Sequence, residues 1–236
     1  MYETIVHPIS LIFATVALCG LLYLFWRYIW FFRNPARSIP PEDSGILSPA
    51  DGTVVYVKAV SPNEEVLTIK QGVKATLNDI VREDVSRPKI LIGIFMSPFN
   101  VHFNRAPVSG PVRFIHHYPA LRGNACMAAM HLRTLLKWLP LYRNSTHIIG
   151  NERTVTKIDG EYREKPLSCY VVQIAAKSVS GIDSYVEQGA RVKAGEIFGM
   201  IRIGSQVDLL VTPLEGMKIK VCPGSKVRAG ETVLIE

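Results

Sequence analysis

Apolar and polar positions along the chain alternate with different periods in different regions. Ile9 to Trp26 (ISLIFATVALCGLLYLFW) has no polar period at all: eighteen residues pass without a charge. At 1.5 Å rise per residue that run is long enough to cross a bilayer. Arg27 follows, then Tyr28-Ile29-Trp30-Phe31-Phe32 and Arg33. Asn34 to Gly45 (NPARSIPPEDSG) is polar and Pro-rich, which predicts a connector. From Ile46 onward short β-rich runs dominate. Val54 to Lys58, Val66 to Ile69, Ile90 to Phe95, Val112 to Ile115 and Tyr170 to Ile174 read as strands bounded by turn residues. Near the C-terminus, alternation runs to Ile203, stops at Gly204-Ser205, and resumes at Val207, Leu209 and Val211. One segment has helical period. Asn124 to Leu139 (NACMAAMHLRTLLKWL) offers Asn124 as N-cap, Pro140 as a stop, and an apolar stripe of Ala128, Leu132, Leu135, Leu136 and Leu139.

Two turn patterns recur, and they raise the specificity of the β reading. Pro49-Ala-Asp-Gly52, Pro107-Val-Ser-Gly110 and Pro213-Leu-Glu-Gly216 are one set. Val186-Glu-Gln-Gly189-Ala-Arg-Val192-Lys-Ala-Gly195-Glu and Val221-Cys-Pro-Gly224-Ser-Lys-Val227-Arg-Ala-Gly230-Glu are the other. The second set resembles the half-repeats of biotinyl and lipoyl domains. The expected fold is mainly β within an α+β class, a barrel-sandwich of short strands with glycine-dependent turns. The expected division is a membrane segment over 1–33, a linker over 34–45, and a catalytic domain over 46–236.

Composition places this domain beside a membrane. The mean hydropathy of +0.17 is high for a soluble domain, and the N-terminal run is its cause. The aromatic cluster from Tyr23 to Phe32 reads as an interfacial belt. Arg27, Arg33 and Arg37 lie after the run, while residues 1–8 carry no Lys or Arg, so the positive-inside rule puts the bulk of the protein in the cytoplasm. A secretory signal would need the charge before the apolar run and a small-residue cleavage site after it; neither is present. A single span and a helical hairpin breaking near Gly20 are both compatible with the run. The net charge of +7 suits nucleic acid or an anionic lipid surface, and the apolar run favours lipid. No basic-aromatic RNA-binding motif appears, and no nucleic-acid partner is expected. Cys19, Cys126, Cys169 and Cys222 are scattered, with neither a disulfide framework nor a zinc spacing.

Candidate chemistry lies at two places. At Gly204-Ser205 a strand breaks where a hydroxyl sits beside a carbonyl that no side chain guards. That arrangement allows the Ser205 oxygen to attack the Gly204 carbonyl, although Gly-Ser is also an ordinary bulge or turn. The second place is Ser97-Pro98-Phe99-Asn100-Val101-His102-Phe103-Asn104-Arg105-Ala106-Pro107, after the apolar run ending at Phe95. His102 falls in a polar cluster at a strand end, where imidazole can move a proton near neutral pH.

These motifs, together with Phe31-Phe32-Arg33-Asn34-Pro35-Ala36-Arg37, Ser48-Pro49-Ala50-Asp51-Gly52, Asn151-Glu152-Arg153 and Ile203-Gly204-Ser205-Gln206-Val207-Asp208, resemble the short form of the phosphatidylserine decarboxylase proenzymes. The resemblance implies self-cleavage between Gly204 and Ser205 through an ester and then a dehydroalanine, leaving a covalent pyruvoyl group at residue 205 as cofactor. It implies a Schiff base with the serine headgroup of phosphatidylserine, loss of CO₂, and phosphatidylethanolamine as product. Ser205, His102 and Asp51 are then the expected catalytic residues, with His102 as proton donor to the decarboxylated carbon and Asp51 assisting cleavage. Arg105 and Asn104 are the expected substrate-binding residues. Expected partners are phosphatidylserine, anionic membrane lipid and the second chain left by cleavage; a homo-oligomer is compatible with the reading. Location at the cell membrane follows.

Two departures qualify the resemblance. Long members of the family carry a second His three residues after the first, and this chain has Arg105 there. Arginine stays protonated and cannot serve as a base. Two alternatives stay open: His102 serves both steps, or Arg105 only stabilises an oxyanion or binds phosphate or carboxylate. The stretch from Ala125 to Asn151 is also long, and it holds the helical segment. That segment reads either as a core-packing helix or as a basic amphipathic helix on the lipid surface, with Arg133 and Lys137 toward phosphates. The competing function is a membrane-anchored carrier or adaptor without catalysis. Glu215-Gly-Met-Lys218-Ile imitates a carrier's modified lysine, but the repeat register puts Lys218 in a strand.

Overall fold

A computed structural model of the protein describes residues 2–61, 67–70, 73–81, 86–177, 181–202 and 204–236. Val66 and Ile203, which the sequence pattern assigns to strands, lie outside the described residues. The chain divides into two units, Met1–Pro35 and Ala36–Glu236. In the first, α1 (Tyr2–Phe25) continues into a π-helical turn at Trp26–Trp30. The helix runs unbroken through Gly20, which overturns the hairpin alternative. Within it, Ile9–Trp30 is long and apolar enough to span a bilayer.

The second unit is mostly β. In chain order it holds β1 (Ile46–Leu47), β2 (Gly52–Val60), β3 (Leu67–Lys70), β4 (Val73–Ala75), α2 (Leu77–Val81), β5 (Lys89–Met96), β6 (Phe103–Arg105) and β7 (Gly110–Tyr118). Next come α3 (Ala128–Leu136), α4 (His147–Gly150), β8 (Arg153–Tyr162), β9 (Lys165–Ala175), β10 (Ile182–Ser184), β11 (Arg191–Val192), β12 (Ile197–Ile201), β13 (Ser205–Val211), β14 (Lys226–Val227) and β15 (Val233–Ile235). An eight-stranded sheet runs β11-β7-β8-β9-β13-β5-β2-β14 and curls into a half-barrel. A three-stranded sheet runs β10-β12-β6. The central strands β5 and β13 are buried at every position, so both sheet faces are covered. That explains the unbroken apolar run Ile90–Phe95, where a half-exposed strand would alternate. One face meets α2 and α4; the other meets the small sheet, through contacts of β10 and β12 with β9.

The two sequence repeats turn out to be one device used twice. Val192 pairs with Gly110 at one edge of the large sheet, and Val227 pairs with Gly52 at the other. Gly189 N–H donates to the Val112 carbonyl and Gly224 N–H to the Val54 carbonyl, each at 2.8 Å. Gly195 and Gly230 repeat the relation with Ala106 and Ser48. Each repeat therefore adds a two-residue strand at one edge of the large sheet. Lys218 exchanges backbone hydrogen bonds with Glu236, so it belongs to a paired extended segment and not to a hairpin tip.

The helical segment is shorter than its apolar period suggests. It begins at Ala128 with Met127 as cap, and it ends at Leu136 because Lys137 turns left-handed at φ 55°. Asn124, the expected N-cap, hydrogen-bonds Glu152 instead. Of the nine helical residues only Met130 is buried. The expected apolar stripe faces solvent, which overturns the core-packing alternative.

Candidate active site

The site lies where the chain leaves one sheet for the other. β12 belongs to the small sheet and β13 to the centre of the large one, so the chain must turn sharply between them. Gly204 makes that turn at φ +62°, a left-handed conformation that favours glycine. Ser205 is the first residue of β13, paired with Met96 on β5 and Ala175 on β9, and it is fully buried. Its hydroxyl lies 3.4 Å from the Met96 sulfur. Asn104 Nδ2 lies 3.8 Å from the same sulfur and donates to the Pro49 carbonyl. Gln173 Nε2 donates to Asn104 Oδ1 at 2.8 Å. Ser205, Met96, Asn104 and Gln173 thus form a buried row between the two sheets.

His102 is tied to the same turn. Its carbonyl accepts from the N–H of Ile201, the last residue of β12. Its ring Nδ1 lies 2.9 Å from the Asn100 carbonyl, which can only accept, so Nδ1 carries the hydrogen. Nε2 is then the ring nitrogen that takes up and returns a proton. Asn100 is itself held, its Oδ1 accepting from the Ser97 amide and hydroxyl at 2.8 Å each.

Asp51 and Arg105 occupy a separate charged cluster. Asp51 accepts from Arg37 at 3.0 Å and from the Ala229 amide at 2.7 Å. Arg37, within the expected linker, also reaches Glu231 at 3.4 Å. Arg105 donates to the Gly195 carbonyl at 2.7 Å. Burial lowers its pKa, nearby Arg37 adds to the effect, and Asp51 and Glu231 oppose it. The Ser205 hydroxyl has the Met96 thioether as its partner, while the Asp51 carboxylate is committed to Arg37 and Ala229.

The opposite face of β13 carries a second buried set. Tyr56 Oη lies 2.7 Å from both oxygens of Asp208. Gln206 Nε2 donates to Tyr56 Oη at 2.6 Å and to Asp208 at 2.7 Å, and His147 Nε2 donates to Gln206 Oε1 at 3.0 Å. Burial lifts Asp208 to about 6, against the hydrogen bonds from Gln206 and Tyr56. Burial also pushes His147 down to about 4 and lifts Tyr56 well above its ordinary value. Gly93 makes room for this set, since a Cβ there would meet the Tyr56 ring at 2.3 Å. Fully buried Arg153 donates to the Ile80 and Asn151 carbonyls and favours the ionised form of Asp208.

A cavity of about 530 Å³ reaches Gly204 from outside, lined by Phe95, Pro98, Cys126, Met127, His131 and Lys177 among others. Asn151 holds its outer wall. Its amide side chain accepts from Ala125 N–H and donates to the carbonyls of Ala125 and Ala175. The segment leading into α3 is thereby clamped to the residue opposite Ser205.

The profile of the family described as phosphatidylserine decarboxylase matches residues 24–235. The chain belongs to the phosphatidylserine decarboxylase family. It is 35% identical over 227 residues to a phosphatidylserine decarboxylase proenzyme of Cytophaga hutchinsonii, covering 96% of this chain and 84% of that one. It is 33% identical over 214 residues to that of Carboxydothermus hydrogenoformans, covering 91% and 80%. It is 34% identical over 228 residues to that of Chlorobaculum tepidum, covering 97% and 84%. As a member of the phosphatidylserine decarboxylase family the chain is an enzyme, and its relatives are named as proenzymes.

Of the residues singled out in the sequence, Ser205 and Asn104 meet in the buried row through Met96, His102 is bonded to the end of β12, and Asp51 and Arg105 lie in the separate charged cluster; several residues around them were not singled out. Met96, Gln173 and the Tyr56–Asp208–Gln206–His147 set are joined through space. One signal was available: Gln206 and Asp208 alternate with apolar residues in a strand too apolar to have a wet face. Polar residues there must be satisfied internally.

Proposed function

We propose that the chain is a proenzyme that cleaves itself between Gly204 and Ser205 and then decarboxylates phosphatidylserine on a pyruvoyl group formed from Ser205. The observation that carries this reading is the left-handed Gly204 immediately before a sealed Ser205 at a sheet-to-sheet corner. Ser205 Oγ adds to the Gly204 carbonyl and the amide nitrogen leaves, which gives an ester and a free amine. Loss of the Ser205 α-proton expels the Gly204 carboxylate and leaves dehydroalanine. Water then replaces the nitrogen, which departs as ammonia. The surroundings fit the product, because residue 205 is fully buried against the Met96 thioether. Such a group supplies a carbonyl that can take up the electron pair left when CO₂ departs.

The remaining roles fall to this chain's own side chains. His102, with Nδ1 fixed on Asn100, holds the proton at Nε2 for the decarboxylated carbon. Asn104, between Met96 and Gln173 in the row, orients the headgroup. Arg105 attracts substrate carboxylate or phosphate, and Asp51 fixes the charged cluster during cleavage. After cleavage the chain 205–236 stays associated: β13 keeps hydrogen-bonded neighbours on both sides, and β14 and β15 remain paired with β2 and β1.

Residues 1–33 anchor the enzyme, 34–45 connect, and 46–236 form the catalytic domain, on the cytoplasmic side that Arg27, Arg33 and Arg37 favour. The paired half-repeats are of the biotinyl and lipoyl kind. The test is release of CO₂ from phosphatidylserine by the full-length protein in detergent. Wild type is expected to yield phosphatidylethanolamine, and Ser205→Ala to yield none. Turnover by Ser205→Ala would sink the reading.

A further inference from the structure

The segment from Leu121 to Arg143 presents a cluster of large exposed apolar side chains. Leu132, Leu135, Leu136, Trp138 and Leu139 are between 47% and 72% exposed. Five large apolar side chains within eight residues are far more than the scattered exposed leucines of an ordinary surface. The segment is also basic. Arg122, Lys137 and Arg143 are exposed, and residues 121–151 contain no Asp or Glu. Arg133 is not one of these surface cations. Its guanidinium turns inward to the Leu141 carbonyl at 2.9 Å and the Ser145 hydroxyl, so the expectation that it faces lipid phosphate is corrected.

We infer that this segment is a docking surface for an anionic phospholipid bilayer, and that it seats the mouth of the cavity on Gly204 at the level of the lipid headgroups. The inference rests on the proposed function in one respect: a bilayer lipid must reach residue 205. Three observations select this occupant. Apolar side chains beside exposed cations match an acyl boundary beneath anionic headgroups. A second copy fits poorly, because a two-fold contact would set like charges against like with no carboxylate to offset them. The surface is also continuous with the cavity, which is lined by Cys126 and Met127 just before α3 and by Ala128 and His131 within it. The Asn151 clamp fixes this wall to the sheet, so a lipid drawn from the bilayer meets a formed passage.

The protein has three tryptophans, at 26, 30 and 138. In the full chain carrying Trp26→Phe and Trp30→Phe, Trp138 is the single indole. The measurement is its fluorescence after reconstitution into phosphatidylcholine–phosphatidylglycerol vesicles with brominated acyl chains. Quenching and a blue shift are expected, both reduced by high salt or by omitting phosphatidylglycerol. Leu135→Ser with Leu136→Ser should lose the quenching while self-cleavage persists. Lys137→Glu with Arg143→Glu should lose it on anionic vesicles and keeps the test open if the serine variant misfolds. Unquenched Trp138 in brominated vesicles overturns the inference. So does a blue shift without quenching that grows with protein-to-lipid ratio, which would assign the face to another copy of the chain. Because Ser205→Ala can be used for the same measurement, failure of docking is distinguishable from failure of the catalytic reading.

Discussion

At Gly204 the backbone alone sets the requirement. A Cβ there would meet nothing closer than Ala176 at 3.8 Å, so Gly204→Ala is opposed by its φ of +62° and not by crowding. The expected loss is about 1–2 kcal/mol in urea unfolding. At His102 the requirement is chemical. His102→Ala is expected to yield two chains but to turn over about 10²-fold more slowly, the usual scale for a lost general acid. A single uncleaved chain would instead make His102 the base for maturation. Features that depend on local backbone or short motifs, such as the strand break at Gly204-Ser205 and the polar cluster around His102, were legible in sequence. Met96 was not, because it meets Ser205 only through the β5–β13 register. Arg133 misled for the same reason: its position suggests a lipid-facing cation, but partners at Leu141 and Ser145 turn it inward.

At the scale of elements, Asn151 connects the α3 segment to the sheet. Asn151→Ala leaves the Ala125 amide and the Ala125 and Ala175 carbonyls without this partner. A loss of about 1–3 kcal/mol is expected in urea unfolding. Faster hydrogen exchange should be confined to residues 124–136; unchanged exchange there would remove the clamp from the account. Strand existence was legible wherever apolar runs were long, and the two sets of turn repeats were legible as sets. Which repeat pairs with which was not legible, since pairing at both edges of one sheet is a property of topology. The β8–β9 hairpin shows a different limit. Arg163 and Glu164 take φ of 49° and 64° without the Asn-Gly signal that normally announces such a turn. At α3 the helical period was legible but its end was not: Pro140 marked a stop, and the chain had already turned at Lys137.

For the whole molecule, the buried set behind β13 links stability to pH. Asp208, lifted to about 6, binds a proton in the folded state that an unfolded carboxylate has already released. Its contribution is full below the ordinary carboxylate range and is lost as pH rises toward 6. His147, held near 4, gives the opposite slope, because the unfolded imidazole binds a proton that the folded one refuses. Its contribution is full above the ordinary imidazole value of 6.5 and is lost as pH falls toward 4. Urea midpoints of wild type should therefore vary little between these values. Asp208→Asn should leave stability rising with pH across the window, and His147→Gln should leave it falling; the reverse signs would refute the assignment. Scission of the Gly204–Ser205 bond is read by intact mass under denaturing conditions. Two chains are expected, residues 1–204 with an ordinary carboxylate and residues 205–236 with a pyruvoyl group in place of the N-terminal serine. A single chain of all 236 residues, a break elsewhere, or a fragment that begins with an unmodified Ser205 would contradict it.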